Sequence, residues 1–445
     1  MADTASHLPW HLRGNWAPLL QERTNASLRV EGAIPPELNG TYIRTGPNPK
    51  SGRSHHWFLG DGMVHGIRFR NGKAEWHRNR FVQTPNITDP VERPPTAPRE
   101  LGRGTANTHV ALHGKQILCL NEASWPWLID QDLNTVGVQN YGGALTCSMT
   151  AHPKVCPETG ELLAFSYFAF TPPFLHYIRV SADGELKQVE GINIPNTVMM
   201  HDFSITRNHV IFMDLPLLFK PQLIATGMPY QFDASAGARL GVMPRNGTNR
   251  DVRWFPIDPC YVFHTVNSYE DGNRIIMHVS KMPSAFGADS NDYANVARLW
   301  RWTIDLDAGT VSETQIDDRP ADFGRVNESR VGLNARYGYL MSLAGEGNSE
   351  EPIYGSQLFK YDLRDGSRVT HELGLNVRGG EPVFVPGGAG EDEGWVMTIC
   401  HDEVSGQSRF VIVDAQDFAA PPVATIHLPE RVPYGAHGSW IPLQQ

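Results

Sequence analysis

Short runs of β-branched and aromatic residues, each closed by a glycine-bearing turn, follow one another from end to end of this 445-residue chain. IRFRNGKAEWH begins at Ile67, YIRVSADGELKQV at Tyr177, RWTIDLDAGTVSET at Arg301 and KYDLRDGSRVTHEL at Lys360. Each reads as strand, turn, strand, and the punctuation predicts an all-β protein. The turn glycines Gly72, Gly184, Gly309 and Gly366 lie 112, 125 and 57 residues apart, close to two, two and one repeats of a single unit. Units of roughly 56 to 62 residues suit the blades of a β-propeller with long loops on one face. Seven blades would use about 64 residues each, while the spacing alone leaves six blades open.

The expected architecture is a single propeller domain over residues 1–445, with 1–30 as an N-terminal arm and the extra length in loops on one face. The stretch Asp214–Phe232 is the best helical candidate, too short and too proline-broken to span a membrane. Its Leu217, Leu218, Phe219, Leu223 and Ile224 could form an exposed apolar patch that touches a bilayer, or could pack on the propeller.

Hydrophobic residues make up 40% of the chain and charged residues 19%, so a packed core is expected rather than disorder. A net charge of -10 with interspersed signs argues against a grip on nucleic acid or anionic lipid, and favours a small or neutral substrate. The opening MADTASHLPWHLRGNWAP has neither the apolar run of a signal peptide nor a transit-peptide pattern, which points to a cytoplasmic protein. Five scattered cysteines without a C-x-x-C pair suggest reduced thiols rather than a disulfide framework or zinc site.

Four of the 18 histidines stand in small, strand-edge contexts: TAHPK (His152), MMHDFS (His201), FHTVN (His264) and GAHGSW (His437). The gaps between them are 49, 63 and 173 residues, the last close to three blade lengths. One histidine per blade at matching depth would bring four imidazoles together on the propeller axis. Four neutral nitrogens without thiolate, leaving coordination positions for dioxygen, suit iron(II), Fe2+, better than zinc, which four histidines would close off. Ligand histidines usually donate their other N–H to a carboxylate, which fixes tautomer and orientation. Glu381 in GGEPVFVP and Asp322 in PADFGRVN fall on the same blade interval, and Glu122 in CLNEASWPW lies 30 residues before His152.

WFLGDGMVHG from Trp57, ANTHV from Ala106, the contexts of His152 and His201, RWFPIDPCYVFHTVNSYE from Arg253, GEPVFVP, EDEGW from Glu391 and VPYGAHGSW together resemble the carotenoid cleavage oxygenases. The similarity extends from about Glu31 to Pro442. It implies a seven-bladed propeller capped by helices and loops over a substrate tunnel, with iron on His152, His201, His264 and His437 and carboxylates Glu122, Asp322 and Glu381 behind three of them. The family usually has glutamate at the position of Asp322. Thr108 in ANTHV resembles the residue whose methyl crowds one open iron position; alternatively it is a plain strand threonine.

The implied reaction is cleavage of a conjugated C=C bond by dioxygen to two carbonyl products, with selectivity set by an apolar tunnel. Phe58, Trp125, Phe168 and Phe263 are the leading candidates to line it, with Trp57, Trp127, Phe170, Phe174 and Phe384 as further ones. Stilbene-cleaving relatives carry a lysine just before the first carboxylate, where this chain has Asn121. Asparagine cannot supply a cation to a phenolate, and no phenol-binding tyrosine is evident in Thr88–Leu101, so a lipophilic polyene is the expected substrate beside O2. The rival readings are a stilbene or phenylpropene oxygenase, an iron-dependent isomerase, and a non-catalytic binding propeller.

Overall fold

The pair Asn71-Gly72 turns strand Gly62–Arg70 back into Lys73–Phe81, and both residues take positive φ, 49° and 73°, as the tightest hairpin turns require. Gly184, Gly309 and Gly366 also have positive φ at the turns expected of them. In the computed structural model, which describes residues 8–91, 100–224, 228–287, 295–344 and 354–444, these hairpins build into a seven-bladed propeller.

The innermost strands, in chain order, are His109–His113, Lys154–Val155, Ser204–Ile205, Tyr261–Asp271, the second half of Thr310–Arg325, Val383–Pro386 and Gly438–Pro442. Thr310–Arg325 is long enough to serve two blades: Thr310–Pro320 pairs outward with Arg298–Asp305, and Ala321–Arg325 pairs with Tyr337–Leu343. The ring is closed twice. Strand Gly438–Pro442 completes the first blade beside Gly40–Pro47, and Arg29–Gly32 completes the last beside Ala424–Leu428. Opening the propeller therefore breaks two ladders at once.

Strand Gly40–Pro47 is buried along all eight residues because it lies inside a sheet that is itself packed between two others. Between blades the apolar faces merge into continuous clusters, the largest running from Leu163 to Ile304 and including Phe203, Phe255 and Trp302. The N-terminal arm is tied into this packing: Trp10 and Trp16 are buried, with the Trp16 ring 4.9 Å from both Trp57 and Tyr434.

The expectation of helix over Asp214–Phe232 is corrected. Leu217–Phe219 and Tyr230–Phe232 form a β-hairpin, with a single 3-10 turn at Pro221–Leu223 and residues 225–227 outside the described ones. Pro216, Pro221 and Pro229 deny a helix its backbone donors, and short apolar runs are ambiguous between helix and strand. Leu217 is fully buried and Leu218, Phe219 and Leu223 half-buried, so of the five patch residues only Ile224 is exposed. Among the described residues α-helix is confined to Pro85–Thr88, and the cap consists of loops, 3-10 turns and this hairpin.

Candidate metal centre

Each of the four histidines sits at the start of an innermost strand. His152 and His201 lie two and three residues before Lys154–Val155 and Ser204–Ile205, His264 lies in Tyr261–Asp271, and His437 immediately precedes Gly438–Pro442. Matching depth on converging strands brings them together, with four ligand-capable nitrogens all within 4.8 Å of one another and every ring buried. His152 Nε2 stands 3.0 Å from His201 Nε2, which stands 3.3 Å from His264 Nε2. Nitrogens about 2.1 Å from one ion stand about 3.0 Å apart at right angles and about 3.4 Å apart in a tetrahedron. The residues fit a first-row metal ion.

Three rings are oriented from behind. His264 Nδ1 donates to Asp322 Oδ1 at 3.0 Å, His437 Nδ1 to Glu381 Oε1 at 2.8 Å, and His201 Nδ1 faces Glu122 Oε1. Donation through Nδ1 fixes the tautomer that leaves Nε2 free for a metal. Among the described residues His152 has no carboxylate partner; the ring of His109 stacks on it instead, 5.7 Å away and 28° from parallel. Burial, reinforced by the neighbouring imidazoles, holds His152 well below its ordinary pKa and pushes His437 down to about 4, both favouring the neutral ligand form. Burial acts on His264 in the same direction, but Asp322 outweighs it and raises that ring.

Asp322 reaches its histidine although it is a methylene shorter than glutamate, because the strand bulges there. The register shifts between Asp322 and Arg325, and Phe323 takes the left-handed conformation at φ 58°, a cost of about 1–3 kcal/mol for such a residue. Asp322 Oδ1 also accepts the Phe323 N–H at 2.8 Å, and the Phe323 ring packs 4.8 Å from His264 and 5.2 Å from His437. Glu381 is the most heavily tied of these three carboxylates: beyond His437 it accepts from Arg325 Nη1 at 3.0 Å and from the Gly438 N–H at 2.9 Å. Burial pushes the Glu381 carboxyl up, but Arg325 and His437 outweigh it and hold it well below the usual range. The phenol of Tyr167 donates to Glu122.

Sequence reasoning missed Phe323, Arg325, Tyr167, His109 and Asp202. Four of them, all but Tyr167, could have been sought beside residues already singled out, in DFGR, HDF and NTHV. Asp202 is buried between blades, with Lys154 Nζ 2.8 Å from one oxygen and the Thr265 N–H and hydroxyl donating to the other at 2.8 Å. Burial pushes its carboxyl up, but Lys154 and these donors outweigh burial and depress its pKa. A depressed carboxyl contributes stability that is complete above the ordinary aspartate value of 3.8 and disappears as pH falls toward the folded value. Asp202→Asn should therefore lower stability by about 2–4 kcal/mol at neutral pH. Denaturant titrations should show the gap from wild type narrowing below about pH 4.

The remaining candidates separate by place. Phe263 touches the centre, its ring 5.3 Å from His201, and continues through Phe286 at 6.0 Å to Phe58 at 6.3 Å. Phe168 belongs to a second aromatic line, from Tyr167 at 5.5 Å through Phe170 at 5.8 Å to Phe219 at 4.8 Å. Trp125 donates its indole N–H to the Leu145 carbonyl and lines a different groove with Leu101, Arg103 and Trp127. Trp57 packs on Trp16, Trp127 lies in the core of the second blade, Phe174 packs against the largest cluster, and Phe384 stacks on Tyr339. Thr108 gives its hydroxyl to Asn107 Oδ1 at 2.9 Å, and Asn121 accepts from the Ala123 N–H and donates to the same Asn107 oxygen. In Thr88–Leu101, searched for a phenol-binding tyrosine, residues 92–99 lie outside the described ones.

Comparisons with known proteins agree along nearly the whole length. The family model described as retinal pigment epithelial membrane protein matches residues 16–442. The carotenoid cleavage oxygenase of Mycobacterium tuberculosis strain H37Rv is 34% identical, the match covering 97% of each chain. The carotenoid 9,10(9',10')-cleavage dioxygenase 1 of Phaseolus vulgaris is also 34% identical, over 99% of this chain and 91% of its own. Among solved structures, the lignostilbene dioxygenase of Pseudomonas brassicacearum superposes with a TM-score of 0.88 at 28% identity, covering 98% of this chain and 99% of its own. Cobalt-substituted apocarotenoid oxygenase of Synechocystis superposes at 0.85 and 27%, covering 96% and 97%.

Proposed function

The chain belongs to the retinal pigment epithelial membrane protein family, and from that premise we propose that it is an iron(II)-dependent dioxygenase splitting one C=C bond of a carotenoid or apocarotenoid. The observation that carries this reading is the convergence of four buried imidazoles, three backed by carboxylates, beside an apolar aromatic wall. In the reaction the C=C bond breaks, both atoms of O2 are consumed, and each former alkene carbon leaves as a carbonyl.

Iron(II), when bound, supplies the activation of dioxygen beside the alkene. The chain supplies the rest. His152, His201, His264 and His437 hold the ion, and Glu122, Asp322 and Glu381 keep three of those rings in the tautomer that can do so. Thr108, whose carbonyl accepts the His437 N–H and whose hydroxyl is committed to Asn107, is the residue we assign to crowding one open position at the centre. Phe263 and Phe58 give the polyene a dry surface, and the line from Phe168 to Phe170, which is 52% exposed, gives it a way in. No acid or base is required of the protein, whose work is positioning and exclusion of water.

Asn121 supports polyenes over stilbenes, since its amide is already engaged by Ala123 and Asn107 and carries no charge for a phenolate. The likeness to lignostilbene dioxygenase favours the stilbene reading and makes it the one to test against. No helix among the described residues is long and apolar enough to cross a membrane. We place the protein in the cytoplasm, with the exposed Phe170 and Ile224 as its point of peripheral membrane contact.

Iron-loaded protein incubated with carotenoids, apocarotenals and a resveratrol-type stilbene, with products identified by mass, tests the substrate class. A polyene should be cleaved with kcat/KM at least about tenfold above the stilbene's. Stilbene cleavage with inert polyenes would reverse the assignment.

A further inference from the structure

Residues on the two sides of the histidine ring differ in chemistry. Phe263 and the rings behind it lie on one side. Residues that follow the ring in each inner strand descend on the other into a cavity of about 680 Å3. Its inner end is bounded by His152, His264 and His437. Its walls carry the ion-paired Lys154 and Asp202 and the amide of Asn267, set among apolar side chains that run from Val155 to Phe323, Phe384 and Trp440. At its outer end Glu37 and Glu328 are exposed.

We propose that this axial cavity is the passage by which hydrated iron(II) enters and leaves the centre, separate from the apolar side that receives the organic substrate. The inference rests on the reading that the four histidines hold the ion. A dication cannot shed its water into a wall of phenylalanine rings without a large desolvation cost, so the aromatic side is closed to it. The axial side offers room for water together with charged and amide groups, and since Glu328 at its rim is paired with Arg325, it is Glu37 that draws cations and repels anions there. It also ends on three of the four ligands, so an arriving ion exchanges water for imidazole without crossing the substrate's path. Filling of the aromatic side by a polyene would then leave metal exchange free.

Val155 decides the question because it lines the passage, is half-buried, packs on the neighbouring apolar cluster, and is neither a ligand histidine nor one of their carboxylates. Purified holoenzyme is mixed anaerobically with a ferrous chelator and loss of iron is followed in time. Val155→Trp should slow that loss at least about tenfold, at unchanged iron content and turnover per iron. A saturating apocarotenal should leave the wild-type rate unchanged. Glu37→Lys serves where the larger substitution disturbs folding: it should slow recapture of iron by chelator-stripped protein at low ionic strength, and the difference should vanish in high salt. Equal rates in wild type and variants, or release blocked by the apocarotenal, would overturn the passage. Protein that never holds iron would instead overturn the functional reading beneath it.

Discussion

His264→Ala protein will retain the propeller but lose iron and cleavage together, turnover falling by on the order of a thousandfold or more. The ion's stabilisation of developing charge is worth several kcal/mol, and each 1.4 kcal/mol is about a factor of ten. His264 is the informative choice because its ring meets both the His201 nitrogen at 3.3 Å and Asp322 at 3.0 Å. Its loss thus removes one ligand and leaves Asp322 without its ring partner. Iron per chain by elemental analysis and product by mass should fall together, while far-ultraviolet circular dichroism stays that of wild type. Full activity in the alanine variant would place the chemistry elsewhere.

Glu381→Gln should give the second largest effect, because one carboxylate serves three partners. It accepts from His437, from Arg325 and from the backbone of Gly438, whose strand closes the ring against Gly40–Pro47. Glutamine keeps the shape but loses the charge, and its NH2 must face one of these donors. Loss of a carboxylate behind a ligand histidine weakens metal binding by about 10- to 100-fold. Breaking a buried ion pair adds a stability loss of about 3–5 kcal/mol. Competition with a ferrous chelator and denaturant unfolding check the two parts separately. Asp322→Asn, lacking a cationic partner, should share the loss of metal affinity and show much less of the loss of stability.

The hairpins were legible because their turn residues must take positive φ, which Gly72, Gly184, Gly309 and Gly366 do at little cost. The histidines were legible because a propeller converts equal spacing along the chain into convergence on an axis. Asp322 and Glu381 follow the same interval and begin inner strands of their own blades. Glu122 does not: it stands in the turn after Gln116–Leu120, and nothing in the blade spacing reaches it. Arg325, Tyr167 and Asp202 act through partners 45 to 63 residues away, contacts that neither pattern nor propensity encodes. The apolar run at Leu217 was misread because hydrophobicity without period does not distinguish helix from strand, and its prolines decided the outcome. The N-terminal arm shows the same limit, since the burial of Trp10 and Trp16 depends on Tyr354 and Tyr434 at the far end of the chain.

X-ray absorption at the iron edge of anaerobically reduced protein tests the central claim most directly. One ferrous ion per chain should appear in a shell of nitrogen and oxygen only, with outer scattering from four imidazole rings. Absence of iron, a sulfur in the shell from any of the five free cysteines, or scattering from two rings or fewer would contradict it.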